Sequence, residues 1–212
     1  MRILVACEES GAVVTAFKRR WGGAHDIYSC DLLPTSGRHP ECHIQADALE
    51  IAKMDWDLAI CFPPCTNIAV SGARWFEEKK RDGRYWMGMG FFLAFTALDH
   101  IPHVCIENPV SAASTFYAKP TQTIHPWQFG HMEEKTTCLW LKNLPPLKPT
   151  RDVREQMMQL PKSEREKVHY MPPGPERASL RSKTYDGVAR AMAEQWGDES
   201  VIRQFEQMEL GI

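Results

Sequence analysis

A cysteine and a glutamate each stand where an apolar run ends. Residues 57–62, DLAICF, are apolar enough for a buried strand; Pro63-Pro64 then stops it and hands the chain to Cys65, followed by the small polar Thr66 and Asn67. A thiolate is a strong nucleophile, but a thiol near its reference pKa of about 8.5 is only slightly ionised at neutral pH, so a site that uses Cys65 must favour the thiolate. Most free cysteines are buried and structural. The polar followers and the double proline, which holds the backbone direction at limited entropic cost, set Cys65 apart from that role. Glu107 closes the run HVCIEN at 103–108, where a carboxylate costs desolvation energy unless it is paired or works with a shifted pKa.

These residues need elements to hold them, and the apolar pattern supplies an alternation. RILVAC (2–7) reads as a buried strand, and GAVVTAFKRRW (11–21) as a helix with Lys18, Arg19 and Arg20 at its C-terminal end. HDIYSCD (25–31) is a second strand and CHIQ (42–45) a short third, with a helix over 46–53. After the strand at 57–62 comes RYWMGMGFFLAFTALDH (84–100), apolar nearly all round and expected to be a mostly buried helix, with Gly88 and Gly90 weakening it or marking close packing. The strand at 103–108 follows. Near-continuous apolar strands alternating with helices predict an α/β protein whose parallel sheet is covered on both faces. Beyond Pro109, 122–129 and 136–144 read as a hairpin around GHMEEK; a Pro-rich basic stretch (145–177) carries one short helix at 152–160, and YDGVARAMAEQW (185–196) forms the closing helix.

In such sheets ligands bind beyond the carboxyl ends of the strands. The first strand delivers Cys7-Glu8-Glu9-Ser10-Gly11; the second delivers Asp31, suited to a ribose; the third leads to Ala46-Asp47, suited to an adenine amine. Asp31 and Asp47 serve equally as strand-end and N-cap residues. The 212 residues suit one domain, and no apolar run approaches the roughly 20 residues of a membrane span. Seven cysteines without C-x-x-C pairs argue for reduced thiols and a cytoplasmic compartment, against a disulfide scaffold and against a zinc site. The net charge of −2 conceals ten Lys/Arg against six Asp/Glu over residues 148–190, a segment able to meet a phosphate backbone or to be simply a solvated face.

The residues from Asp57 to Gly72, DLAICFPPCTNIAVSG, together with Glu107-Asn108-Pro109-Val110, resemble the signatures of the DNA cytosine-5 methyltransferases, and the likeness extends over most of 1–141. The abbreviated layout is also similar to small phage and prophage methylase-like proteins. The resemblance implies a single Rossmann-like, S-adenosyl-L-methionine-dependent methyltransferase domain over 1–212. It implies catalytic roles for Cys65, Glu107, Asn108 and Lys135: thiolate addition to cytosine C6, protonation at N3, and orientation by Asn108 of Glu107 or its loop. It assigns the cofactor to Cys7, Glu8, Ser10, Gly11, Asp31, Leu32, Asp47, Ala48, Phe62 and Pro64. Nucleic acid falls to Arg74 and Trp75, on a mobile loop over 67–75 that closes on a flipped base, and to Arg177, Arg181 and Lys183.

The chain departs from that pattern at several points. Glu8 and Glu9 occupy the cofactor loop, Thr66 replaces a glutamine, Pro109 interrupts Glu-Asn-Val, and Gln128, Lys135 and Thr137 stand for a Gln-x-Arg-x-Arg signature. RSKTYDGVARAMAEQW takes the place of the closing signature beside the cofactor, and residues 145–182 are too short for a target-recognition domain. DNA is the expected partner, with RNA or a free cytosine nucleotide as alternatives. An amino methyltransferase, whose proline loop needs an Asp or Asn where Phe62 stands, ranks below these. A catalytically silent fold that binds S-adenosyl-L-methionine or nucleic acid is the remaining reading.

Overall fold

A computed structural model describes residues 1–172, 174 and 177–211, with the backbone alone for residues 169 and 177–179. Seven strands form one sheet: β1 (Arg2–Ala6), β2 (Asp26–Asp31), β3 (His43–Gln45), β4 (Leu58–Cys61), β5 (His103–Pro109), β6 (Gln122–Ile124) and β7 (Thr137–Lys142). Their order is β3-β2-β1-β4-β5-β7-β6. The first five are parallel, and β7 runs antiparallel to both β5 and β6. The chain starts at the centre, builds outward through β2 and β3, then returns to β4 on the other side of β1. The crevice between β1 and β4 is therefore the sheet's switch point, where parallel α/β sheets open a ligand site.

The near-continuous apolar character of β1 and β4 follows from cover on both faces. Ile3, Val5, Ile60 and Cys105 pack under the helices Ala12–Trp21 and Asp186–Trp196. Leu4, Ala6, Ala59, Cys61 and Ile106 pack under the helix Arg84–Thr96. That helix buries one stripe, Tyr85, Met89, Phe92 and Phe95, at three- and four-residue spacing. Its other side is open, with Trp86 half exposed and Met87 at 74%, so it is amphipathic rather than buried all round. Gly88 does mark close packing: a Cβ there would lie 3.0 Å from Cβ of Asn67, two residues beyond Cys65.

Several boundaries differ from the sequence pattern. The helix expected over 46–53 is the single turn Ala48–Ile51, and the one expected to reach 100 ends at Thr96. The hairpin strand β6 stops at Ile124, because Pro126 opens a 3-10 turn, Pro126–Gln128, in place of ladder pairing. Among the described residues, 145–182 hold four short helices rather than one: Arg154–Met158, Lys162–Arg165, Lys167–Tyr170 and Arg177–Ser182. A further helix, Glu199–Leu210, follows the one expected to close the chain; Asp198 caps it by accepting from the Ser200 N–H at 2.9 Å. Its apolar contribution is small, since it fully buries Ile202 alone. No helix among the described residues is long and apolar enough to cross a membrane.

Two glycines separate packing from propensity. At Gly187 an added Cβ would sit 2.0 Å from the Phe129 carbonyl oxygen, whereas at Gly90 it would meet nothing within 4 Å. In urea melts, Gly187→Ala is expected to lose about 1–3 kcal/mol through overpacking. Gly90→Ala, on the exposed side of its helix, is expected to gain about 0.5–1 kcal/mol.

Candidate active site

Parallel pairing brings two chemical groups to one edge. Cys61 is in register with Ile106, so one step further along, Phe62 and Glu107 leave the ladder side by side on the same face and line one cavity with Lys135. Pro63 is buried and turns the chain, Pro64 is exposed, and Cys65 is half-buried at the start of a turn whose amides, from Ile68 and Ala69, donate to the Cys65 carbonyl at 3.0 and 2.8 Å. Burial pushes the Cys65 thiol above its ordinary pKa and the Glu107 carboxylate pushes it the same way, while Lys135 and Arg181 pull it back. Burial also raises the Glu107 carboxyl, against the attraction of Lys135. Glu107, Lys135 and Arg181 thus all bear on the Cys65 thiol, and of these four residues Glu107 and Lys135 line the cavity while Cys65 does not.

Asn108 follows Glu107 on β5. Strand alternation turns it to the opposite face from Glu107, where it is fully buried and its Nδ2 donates to the Pro63 carbonyl at 2.9 Å. It therefore ties β5 to the loop that carries Cys65 instead of orienting Glu107. Lys79, also buried, donates to the Thr66 carbonyl at 2.6 Å and holds the other side of the same turn.

The cavity is closed by a segment whose role the sequence pattern did not reveal. Ser182, Thr184 and Tyr185 lie over Glu107 and Lys135, and the space that remains, about 20 Å³, suits a water molecule rather than a base. The segment is tied down at three points. Lys135 Nζ donates to the Arg181 carbonyl at 3.0 Å, the Tyr185 hydroxyl donates to Glu133 Oε2 at 2.8 Å, and the Gly187 amide donates to His131 Nε2 at 2.9 Å. RSKTYDG thus covers the Glu107 cavity with Ser182, Thr184 and Tyr185 and borders the first-strand loop at Ser10 with Lys183 and Asp186. Of the three residues standing for Gln-x-Arg-x-Arg, Lys135 and Thr137 line the cavity, while Gln128 accepts from the His125 amide at 2.7 Å.

The residues assigned to a cofactor lie mostly at the ends of β1, β2 and β3. Cys7 has φ 60 and Gly11 φ 61, and Gly11 leads into the helix Ala12–Trp21 without a side-chain cap of its own. Glu8 supplies the missing acceptor: it is buried, and its Oε1 accepts from the Val13 amide at 2.9 Å. Burial raises its pKa to about 7, against those hydrogen bonds. Glu8 Oε2 is buried without a partner. Ser10 Oγ donates to Glu8 Oε1 at 3.3 Å. Asp31 accepts from the Leu33 amide and Asp47 N-caps its helix by accepting from Leu49, both at 2.9 Å. Both carboxylates act on the Cys7 thiol, which burial first of all holds far up. Leu32 is 72% exposed and Ala48 is buried. Phe62 departs from the cofactor assignment, packing against the core and lining the Glu107 cavity.

The nucleic-acid assignments divide. Arg74 and Trp75 sit exposed on a 3-10 helix, Val70–Trp75, with the guanidinium 5.1 Å from the indole centroid. The stretch expected as a mobile loop is bound to its surroundings by Val70 N–H to the Val110 carbonyl and Ala112 N–H to the Ile68 carbonyl, both 2.9 Å. Arg181 bears on the Cys65 thiol. Lys183 faces a separate cavity with Ser10, and the side chain of Arg177 lies outside the described residues.

Sheet order, crevice and edge chemistry define an α/β protein of Rossmann-like layout. No protein-family model matches the chain, and no curated protein sequence matches it.

Charge and protonation give this edge two measurable signatures. Removing the Glu107 charge in Glu107→Gln lowers the Cys65 pKa, so iodoacetamide should alkylate Cys65 at pH 7 faster by roughly tenfold per pKa unit. Lys135→Met should slow it. Burial holds the His131 pKa below 6.5, against Glu133 and Asp186 and with help from Arg190 and Lys167. A neutral ring is needed to accept from Gly187, so this stabilisation is complete above the unfolded value of about 6.5 and is lost as pH falls through the lower folded value. Hydrogen exchange should show the Gly187 amide losing protection in that window, while the Ala189 amide, bonded to the Tyr185 carbonyl, keeps more of it.

Proposed function

We propose that the protein transfers a methyl group from S-adenosyl-L-methionine to C5 of cytosine in DNA through a covalent Cys65–C6 adduct. The observation that carries the reading is the parallel register of β4 and β5, which brings the loop carrying Cys65 to the edge where Glu107 and Lys135 line one cavity, next to the switch point of the sheet. Cytosine C5 is a poor nucleophile. Addition of the Cys65 thiolate to C6 turns the ring into an enamine with electron density at C5. Glu107, whose carboxyl burial shifts toward higher pKa against the pull of Lys135, holds a proton at N3 as sulfur adds. Lys135 favours the thiolate. Loss of the C5 proton then expels Cys65 and restores the aromatic ring.

The cofactor, when bound, supplies the electrophilic methyl. The chain's residues fit such a group: Asp31 and Asp47 at the strand ends suit ribose hydroxyls and an adenine amine, and the orphaned Glu8 Oε2 suits a positively charged ligand. Seven free thiols suit a cytoplasmic setting. A duplex substrate must present its base flipped out. RNA or a free cytosine nucleotide offers the same ring without the cost of unpairing a DNA duplex.

One observation favours a second reading, a silent fold that binds S-adenosyl-L-methionine or nucleic acid. The cavity at Glu107 is too small for a base while residues 181–187 cover it, so catalysis requires that segment to lift. Incubation with labelled S-adenosyl-L-methionine and 5-fluorocytosine-containing duplex, single-stranded DNA, RNA or nucleotide separates the readings. A covalent adduct with one of them, absent in Cys65→Ala, supports methyl transfer. Cofactor binding with no adduct on any substrate supports the silent fold.

A further inference from the structure

A second cavity, of about 200 Å³, lies on the other side of the segment that covers Glu107. Ser182, Thr184 and Tyr185 face the first cavity, and Lys183 and Asp186 face the second. Three further cations line it from three separate elements: Arg19 on the helix Ala12–Trp21, Arg38 on the loop after β2, and Arg190 on the helix Asp186–Trp196. Against four positive charges the lining sets one carboxylate, Asp186, with Glu9 Oε2 3.3 Å from the amide of the wall residue Ser36. Among the described residues, none of the four cations makes an ion pair or a side-chain hydrogen bond. Like charges turned into one concavity repel one another, and the arrangement is relieved by an anion.

The walls are fixed before any ligand arrives. The loop carrying Arg38 is bound to the first-strand loop by the Thr35 hydroxyl and the Ser36 amide, which donate to the Glu9 carbonyl at 2.7 and 3.0 Å. Gly37 lies so close that a Cβ on it would stand 2.7 Å from the Ser10 carbonyl oxygen. The hydroxyls of Thr15 and Ser36 add neutral donors beside the cations. Ala12, Thr15, Ala16 and Arg19 lie at three- and four-residue spacing, so one face of the helix Ala12–Trp21 forms a wall of the cavity. Guanidinium forks and hydroxyls around a pocket of this size match the several oxygens of a phosphate better than the two of a carboxylate.

From this geometry we infer that the cavity bounded by Arg19, Arg38, Lys183 and Arg190 is a phosphate-binding site, taking a backbone phosphate of a nucleic acid or the phosphate of a free nucleotide. The site is independent of the chemistry at Cys65, so its failure leaves that reading standing, and the reverse.

The test is anisotropy of labelled single-stranded and duplex oligonucleotides over a KCl series, alongside calorimetry with dCMP and inorganic phosphate. The proteins are the wild type, the double variant Arg19→Glu/Arg190→Glu, the single variant Arg38→Gln, and Arg20→Glu as a control for net charge. Arg20 follows Arg19 on the same helix, but its guanidinium stacks 4.3 Å from the Trp21 ring centroid and does not line the cavity. Thermal melts check that each variant is folded. For a nucleic-acid phosphate, the double variant should weaken oligonucleotide binding by roughly tenfold or more and lower the slope of log Kd against log salt by about one. Arg38→Gln should move both in the same direction, and Arg20→Glu should change Kd by no more than about twofold. If dCMP and phosphate binding is lost in the double variant while oligonucleotide binding is unchanged, the site stands and belongs to a free nucleotide. Equal weakening by Arg20→Glu, competition by polyglutamate as strong as by an oligonucleotide of the same charge, or no response of any phosphate probe to the double variant would overturn it.

Discussion

The pairing of β4 between β1 and β5 is the constraint on which the rest of the molecule depends. It fixes the register that sends Phe62 and Glu107 off the sheet together, and it opens the switch point on the β1 side. The hydrogen bond from Asn108 to the Pro63 carbonyl carries the same register past the end of the ladder into the loop. Because Pro63 has no amide hydrogen and Asn108 is fully buried, that bond is the direct link between the strand bearing the carboxyl and the loop bearing the thiol. A one-residue slip would reverse the faces and put Asn108 where Glu107 stands.

Burial creates the chemistry at this edge and also limits it. Desolvation raises both the Cys65 thiol and the Glu107 carboxyl, which keeps the carboxyl able to hold a proton but works against the thiolate. Lys135 and Arg181 offset part of that cost. The same two residues bind the covering segment, Lys135 through the Arg181 carbonyl and against the Tyr185 ring. Activation of the thiol and closure of the site are therefore coupled: a movement that lifts residues 181–187 also alters the charge felt by Cys65.

The covering segment and the helix that follows it join the two sides of the molecule. Trp21 donates to the Ala193 carbonyl at 2.7 Å and clamps the helices Ala12–Trp21 and Asp186–Trp196 together, while Trp196, fully buried, donates to the Pro145 carbonyl at 2.9 Å and ties the second helix to the stretch after β7. The basic cavity is bordered by the same two helices, which contribute Arg19 and Arg190. The first-strand loop touches both regions, through Glu8 at the start of one helix and Ser10 in the wall of the cavity.

The strands, their parallel alternation and the prominence of Cys65 and Glu107 were legible in the sequence, because apolar runs and the residues that interrupt them are local features. Asn108, Glu8 and Phe62 were legible as residue types, but the contacts they make were not. Which face a strand residue takes, and whether a carboxylate meets a ligand or a helix amide, depends on neighbours far away in the chain. The closure by Tyr185, Glu133 and His131 left no local signal, since each is an ordinary polar residue until β7 and the helix Asp186–Trp196 bring them together. The final helix was missed for the related reason that it buries little. Periodicity determines which segments will seek a core; only the packed sheet decides which polar groups are trapped beside one another, and there their charges change what they can do.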